Sequence, residues 1–208
     1  MVTSLDIAAA RERIRPIAHL TPVMTSRGFN ARAGVQAYFK CENFQFGGAF
    51  KIRGAANFIG LLTKEELARG VVAFSSGNHA QAVAIAAGLA GAKATVVMPF
   101  DAPKAKVAGT AAHGAHIIHY DRFSEDREAV ARKITEETGA VTVPPFDHEW
   151  IIAGQGTAAC ELLEQTSDLD AILAPVGGGV LNSVPGDCWT SGLPPASGAK
   201  EFAAEIAC

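Results

Sequence analysis

The chain of 208 residues is 49% hydrophobic and 19% charged, with a formal net charge of -3. A disordered chain would be more polar, and a protein that binds nucleic acid by neutralising phosphates would usually be basic. The length suffices for one or two domains, each with a hydrophobic core.

The cysteines and the N-terminal residues favour a reduced, cytoplasmic setting. Cysteines occur at positions 41, 160, 188 and 208, without the CxxC pairing of a metal knuckle. The first apolar run is too short, and too soon followed by charge, for a signal peptide. No stretch of about 18 apolar residues occurs, so the sequence predicts no membrane-spanning helix.

Apolar runs and helical patterns alternate along most of the chain. Continuous apolar runs such as 71–74 are typical of buried parallel strands, whereas the spacing of Ile52, Ala55 and Ile59 is that of one helix face. In chain order we predict a helix over 4–15, a strand over 36–41, a helix over 51–62, a strand over 71–74, a helix over 78–89, a strand over 94–98, a helix over 103–112, a strand over 116–120, helices over 124–138 and 150–165, and a strand over 171–175.

This alternation predicts the fold class. Strands that alternate with helices of this length form βαβ crossovers, so we expect an α/β protein with parallel sheets. The consecutive Pro144 and Pro145 are a possible domain boundary. From residue 181 onward prolines and glycines break the periodicity, and only 199–207 could form a short helix.

The first candidate for chemistry is a lysine behind two glycines. Lys51 follows Gly47 and Gly48 and opens a predicted helix. The positive end of the helix dipole disfavours a cation there and favours a neutral amine, which is the form that Schiff-base chemistry requires. The octet taken alone also fits a solvated lysine at a helix start.

The second candidate is the segment Ser75-Ser76-Gly77-Asn78-His79, between a buried strand and a helix. Hydroxyls and N–H groups at a helix N-terminus, on the carboxyl side of a parallel sheet, form a site for a carboxylate or phosphate. The alternative is that Ser76 or Asn78 simply caps the helix.

Three further patterns carry weaker indications. Gly177-Gly178-Gly179 after the last predicted strand could let backbone N–H groups approach a phosphate, or could be a turn. Neither a Gly-x-Gly-x-x-Gly fingerprint nor a Walker A motif accompanies it. The series His113, His116, His119 invites a metal interpretation, but in a strand the last two point to opposite faces. We therefore predict no metal site, and we interpret Cys160 as a packed thiol.

Taken together and in this order, the motifs resemble those of a known family. The chain is similar to the fold-type II pyridoxal-phosphate enzymes, specifically the group of threonine/serine dehydratases and serine racemases. The resemblance covers about residues 15–180. The matching stretches are Thr21-Pro22, FKCENFQ at 39–45, AFKIRGA at 49–55, SSGNHAQ at 75–81, GQGT at 154–157 and PVGGG at 175–179.

The resemblance implies roles for the residues of these motifs. Lys51 would be the Schiff-base residue and the base for the Cα proton, with Phe50 against the ring of pyridoxal 5'-phosphate. Asn78 would hydrogen-bond the phenolic oxygen of the cofactor, and Ser76 would act on the opposite face in a racemase. The substrate carboxylate would be held by Ser75, Ser76, Gly77 and His79, and the cofactor phosphate by Gly177, Gly178 and Gly179.

The resemblance also implies an activity. It suggests an ammonia-lyase, or dehydratase, that converts threonine, serine or a related β-hydroxy amino acid to a 2-keto acid and ammonia. A racemase of the same family and an inactive truncated remnant remain as alternatives. The partners expected are a small amino-acid substrate and further copies of the chain in a homo-oligomer, with neither nucleic acid nor membrane.

The implied architecture is two open parallel sheets with flanking helices, as in the tryptophan synthase β-like fold. A large cofactor domain would comprise 1–69 and 148–208, and a small domain would comprise 70–147. Family members continue well beyond the phosphate loop, and Val180 stands where they usually have a fourth glycine. We therefore expect a large domain that is incomplete, with an atypical tail from residue 181, in a truncated or frame-shifted member.

Overall fold

The computed structural model describes residues 2–166 and 169–174. Its elements confirm the predicted alternation of helices and strands. The helices are α1 (Ser4–Ile14), α2 (Arg27–Ala33), α3 (Lys51–Ile59), α4 (Lys64–Arg69), α5 (Asn78–Leu89), α6 (Lys104–Ala112), α7 (Arg127–Thr138) and α8 (Glu149–Gln165); the strands are β1 (Val23–Thr25), β2 (Tyr38–Lys40), β3 (Val71–Phe74), β4 (Ala94–Pro99), β5 (His116–Tyr120) and β6 (Val141–Thr142); two short 3-10 turns cover Glu42–Phe44 and Phe46–Gly48.

The main sheet is parallel, as expected for an α/β fold. Its strand order is β5-β4-β3-β6, and Val71 of β3 lies opposite both Ala94 of β4 and Val141 of β6. The central strands are buried, which explains their continuous apolar sequence. All four strands therefore end at one edge, where their loops can converge on a common site.

The helix α3 runs through the centre of the molecule and is buried along its whole length after Lys51. Its apolar side chains, with those of β3, α5 and α8, form the largest core cluster; Ile52, Phe58, Val71, Val83 and Ile151 are among its members. Since this cluster includes residues on both sides of positions 70 and 148, the two predicted domains share a packed core.

Two glycines bring α3 and α8 into close contact. A Cβ atom at Gly154 would lie 2.5 Å from the carbonyl oxygen of Arg53, and one at Gly54 would lie 2.6 Å from Nε2 of Gln155. The GQGT motif therefore lies inside α8 and faces α3, where Thr157 donates to the carbonyl of Gly154 at 2.7 Å. In the described structure this motif serves helix packing.

A Gly154→Ala substitution should destabilise the protein, because its new Cβ meets backbone rather than a flexible side chain. We expect the free energy of unfolding to fall by about 1–3 kcal/mol, as measured by urea denaturation. The matched control is Gly28→Ala in α2, where a Cβ would meet nothing within 4 Å. That control should be neutral or slightly stabilising, and equal losses in both variants would contradict this packing role.

Several predicted elements differ from those observed. The predicted strand over 171–175 is wrong for 171–174, which form no strand, and Pro175 lies outside the described residues. The segment pairs with no strand within the described residues, so its backbone groups form no ladder there. The predicted helix over 124–138 begins only at Arg127, because Asp126 caps it. The predicted strand over 36–41 is observed as β2, whereas its partner β1, the helices α2 and α4 and the strand β6 were not predicted.

The three histidines of the series 113, 116 and 119 do not lie in one element. His113 follows the end of α6, while His116 and His119 lie in β5. Among the described residues, no three histidine, cysteine or acidic side chains gather as a potential metal site. Cys160 is half-buried against the cluster formed by α1 and α8. No helix in the described part of the chain has the length and apolarity needed to cross a membrane.

Candidate active site

The predicted site residues gather at the carboxyl edge of the parallel sheet. The loop 75–77 follows β3, the segment 143–145 follows β6, and α6 follows β4 after a short turn. Lys51 joins them from α3, since its side chain reaches the backbone of Pro145. The structure thus brings together two motifs that lie 24 residues apart in the sequence (75 minus 51).

Lys51 is the first residue of α3 and is half-buried. Its Nζ donates a hydrogen bond to the carbonyl oxygen of Pro145 at 2.9 Å and lies 5.2 Å from the ring centroid of Phe50. Burial lowers the pKa of Lys51 from its usual value, because removal from water disfavours the charged amine. The amine is thus closer to its nucleophilic, neutral form than an exposed lysine would be.

His79 lies behind this amine and is only 3% exposed. Its Nε2 is 3.1 Å from the carbonyl oxygen of Val143; since a carbonyl only accepts, Nε2 carries the proton. Its Nδ1 is buried without a hydrogen-bond partner among the described residues. Burial lowers the pKa of His79 to about 4, and the charge of Lys51 acts in the same direction. His79 is therefore neutral at pH 7.

The neutrality of His79 predicts a pH dependence of stability. An unfolded histidine takes up a proton below about pH 6.5, whereas folded His79 resists protonation down to about pH 4. The free energy of unfolding should therefore fall as the pH drops through this window, by up to about 1.4 kcal/mol per pH unit. Urea denaturation at pH 7 and pH 5 measures this loss.

A His79→Gln variant should reduce this loss, because its amide does not titrate. The exposed His113→Gln is the matched control and should retain the wild-type pH dependence. If His79→Gln and the wild-type chain lost the same free energy between pH 7 and pH 5, the buried neutral histidine would not be the cause.

The loop 75–77 leaves the start of α5 open. The N-cap residue is Gly77, which has no side chain to cap the helix, so the capping alternative for Ser76 and Asn78 does not apply. Ser75 Oγ accepts a hydrogen bond from the N–H of Gly77 at 3.2 Å, and Ser76 and Asn78 are exposed. Uncapped N–H groups and hydroxyls at a helix N-terminus are suited to an anion.

Asn78 has a partner that was not predicted. Lys106 of α6 donates to its Oδ1 at 2.5 Å and to Oε1 of Gln81 at 3.3 Å. No pattern along the chain indicated this contact, because a lysine in an amphipathic helix is normally solvated.

A buried charged network supports α3 two residues after Lys51. Arg53 is fully buried and bonds Glu42 at 2.8 and 2.9 Å and Glu161 at 2.8 Å through two nitrogens. Lys40 adds an ion pair to Glu161 at 2.7 Å. Burial opposes ionisation of Glu161, but its hydrogen bonds with Arg53 and Lys40 prevail and lower its pKa. The network fixes the helix that begins with Lys51.

Of the remaining predicted site residues, only Phe50 lies within the part of the chain that the structure describes. Phe50 is half-buried and precedes α3 as its N-cap residue. Gly177, Gly178 and Gly179 lie outside the described residues. The site described here therefore consists of Lys51, Phe50 and residues 75–79.

A half-buried lysine beside an open helix N-terminus, at the carboxyl edge of a parallel sheet, is typical of α/β enzymes that bind small anionic molecules. The model of the family "pyridoxal-phosphate dependent enzyme" matches residues 14–183. The chain belongs to this family, whose cofactor is pyridoxal phosphate.

Individual relatives carry two kinds of name. L-threo-3-hydroxyaspartate ammonia-lyase of Saccharomyces cerevisiae is 54% identical over 178 residues, covering 86% of this chain and 55% of that protein. Serine racemase of Schizosaccharomyces pombe is 49% identical with the same coverage. The structure of maize serine racemase matches with a TM-score of 0.90 at 43% identity, over 98% of this chain and 61% of that chain. The chain thus spans little more than half the length of these relatives.

Proposed function

We propose that this protein is a pyridoxal-phosphate-dependent ammonia-lyase acting on a β-hydroxy amino acid such as L-threo-3-hydroxyaspartate, serine or threonine. The observation that carries the proposal is the half-buried amine of Lys51, with its lowered pKa, at the edge where the anion-binding loop lies. The likeness to the yeast L-threo-3-hydroxyaspartate ammonia-lyase supports the substrate class.

The described residues fit the cofactor. Lys51 would carry it covalently, Phe50 would lie against its ring, and the exposed Asn78 would donate to its ring oxygen. Residues 177–179, outside the described part, would hold its phosphate. When bound, pyridoxal phosphate supplies an electron sink that stabilises negative charge at the substrate Cα. The protein supplies orientation, proton transfer and exclusion of water.

The protein groups divide the work of the reaction. The N–H groups and hydroxyls of Ser75, Ser76 and Gly77 hold the substrate carboxylate at the positive end of α5. The unprotonated form of Lys51, which burial favours, takes the Cα proton at Nζ, and the β-hydroxyl then leaves with a proton as water. Addition of one water and release of ammonia give the 2-keto acid. Because His79 is neutral, it adds no charge behind the amine.

A racemase is the second candidate, favoured by the exposure of Ser76 in the anion-binding loop. A serine hydroxyl on the substrate face opposite Lys51 could return the Cα proton with inverted configuration. The serine racemase names of relatives from Schizosaccharomyces pombe and maize support this candidate. The two candidates share the cofactor and Lys51, and differ in whether the β-hydroxyl leaves.

The proposal extends to the organisation of the protein. We place the cofactor domain at 1–69 and 148–208 and the small domain at 70–147, with Pro144-Pro145 at the return crossing. We also propose a homo-oligomer in the cytoplasm. Light scattering of the purified chain and fractionation of cells that express it test these two points.

Reductive trapping tests the proposal. The chain is incubated with pyridoxal phosphate, reduced with borohydride and digested, and peptide masses locate the cofactor; we expect it on Lys51. Release of 2-keto acid from each β-hydroxy amino acid is then compared with formation of the D-isomer. The D-isomer without keto acid would favour the racemase, a trapped cofactor without either product an inactive remnant, and no trapped cofactor would reject the proposal.

A further inference from the structure

Lys106 makes two contacts at the start of α5 that belong to none of the roles assigned above. Its Nζ lies 2.5 Å from Oδ1 of Asn78 and 3.3 Å from Oε1 of Gln81. The lysine is half-buried and lies in the first turn of α6, which follows β4 at the edge of the sheet that bears the site. One ammonium thus bridges the first and fourth residues of α5.

The second contact is built into the helix packing. A Cβ at Gly109, one turn after Lys106 on the same side of α6, would overlap the amide nitrogen of Gln81. Gly109 therefore lets Gln81 lie flat on α6, with its nitrogen over the glycine and its oxygen towards Lys106. The packing of α5 on α6 therefore places the Gln81 oxygen where Lys106 can bind it.

The position of this charge is unfavourable unless an anion binds nearby. The N-terminus of α5 carries a partial positive charge, so a cation there is repelled by the helix dipole. The half-buried Lys51 brings a second amine to the same edge of the sheet. Two amines beside an uncapped helix N-terminus are an arrangement that a bound anion would stabilise.

The contact also decides which way the amide of Asn78 points. A lysine ammonium has three donors and no acceptor, so the atom of Asn78 that faces it must be the oxygen. The amide nitrogen is thereby turned away from Lys106 and remains available as a donor at the exposed end of α5. Without Lys106, the amide could turn and present its oxygen, which would repel an anion.

We propose that Lys106 is a positioning residue for cofactor binding: its ammonium fixes the Asn78 amide so that Nδ2 donates to the anionic ring oxygen of pyridoxal phosphate. This inference rests on the proposed function, because it assumes that the cofactor binds beside Asn78. Lys106 itself acts through Asn78 and does not touch the reacting atoms.

The test measures the affinity of the chain for pyridoxal phosphate, by equilibrium dialysis and by the visible absorbance of the bound cofactor. Lys106→Met should weaken binding about tenfold, the typical cost of losing a charge-assisted hydrogen bond. Lys106→Arg keeps a donor-only cation and should bind within about threefold of the wild-type chain. Lys104→Met is the matched control, because it removes an exposed charge from the same helix.

A double-mutant cycle shows whether Lys106 acts through Asn78. Asn78→Ala should weaken binding, and adding Lys106→Met to it should cost less than about twofold more, since the amide to be oriented is gone. Loss of a neighbouring cation should also move the pH midpoint of the bound cofactor's absorbance upward in Lys106→Met. A purely structural role would neither be rescued by arginine nor vanish in the cycle.

The outcomes separate this inference from the function on which it rests. If the wild-type chain takes up no cofactor, the proposed function and this inference both fail. If the wild-type chain binds the cofactor and Lys106→Met binds it equally well, or if the two substitutions add in full, only the role of Lys106 is overturned.

Discussion

A Lys51→Ala variant should lose keto-acid release from β-hydroxy amino acids by at least about 10³-fold relative to the wild-type chain. In the proposed function, the substitution removes both the nucleophile that would carry the cofactor and the base that would take the Cα proton, and each role is worth orders of magnitude in rate. Borohydride should then trap no cofactor on the chain, although the cofactor could still bind reversibly. Steady-state kinetics and peptide mapping measure the two losses.

The matched control for Lys51 is Lys64→Ala. Lys64 is also the first residue of a helix, α4, but it is exposed. Circular dichroism of both variants checks that the fold is kept. If Lys51→Ala kept its turnover while Lys64→Ala behaved as wild type, another amine would have to carry the chemistry.

The second large effect is on stability. Arg53→Ala should lower the free energy of unfolding by about 3–5 kcal/mol, because it leaves the buried Glu161 and the partly buried Glu42 without their main partner. Lys40 still pairs with Glu161 at 2.7 Å and Thr21 still donates to Glu42 at 2.6 Å, so each carboxylate keeps one weaker partner. Urea denaturation at pH 7 measures the loss, and the difference from the wild-type chain should shrink in acid, where the Glu161 carboxylate that has lost Arg53 takes up a proton more readily.

A surface ion pair formed by Glu164, which lies in α8 like Glu161, provides the control. Arg11 donates to Glu164 of α8 through its two terminal guanidinium nitrogens, but the two side chains are 38% and 56% exposed. Because water screens such a pair, Arg11→Ala should cost less than about 1 kcal/mol. Comparable losses for Arg11→Ala and Arg53→Ala would show that burial of the Arg53 network is not what makes it costly to break.

Regular periodicity allowed much of the fold to be predicted. The bounds of β3, α5 and β5 agree with the sequence pattern, because buried parallel strands and an alanine-rich helix depend on local composition. The short α4 was missed, although its capping box from Thr63 to Glu66 was a readable signal. Strand β1, the partner of the predicted β2, has only three residues, which is too few for an alternating pattern to be recognised.

The candidate site, too, was predictable only where its residues are contiguous in the chain. The motifs around Lys51 and Ser75-Ser76-Gly77-Asn78-His79 could be read from the sequence because each is continuous. The Arg53 network could not be predicted from the sequence, since Glu42 and Glu161 lie 11 and 108 residues from Arg53 in the chain. Nothing in the local sequence distinguishes a buried arginine from a solvated one in the same helix. The engagement of His79 with Val143, and that of Asn78 with Lys106, likewise depend on how distant elements meet.

The prolines after β6 have a consequence for how the sheet ends. The N–H of Val141 donates to the carbonyl of Gly70, just before β3, and that of Val143 donates to the carbonyl of Val72 in β3. The next donor in that series would be residue 145, which is a proline without an N–H. Strand β6 therefore cannot extend its hydrogen-bonded pairing with β3 beyond this residue. The carbonyl oxygens of Val143 and Pro145 instead accept hydrogen bonds from the side chains of His79 and Lys51. The end of the β3–β6 pairing and the carbonyl contacts of His79 and Lys51 thus fall on the same two residues, Val143 and Pro145.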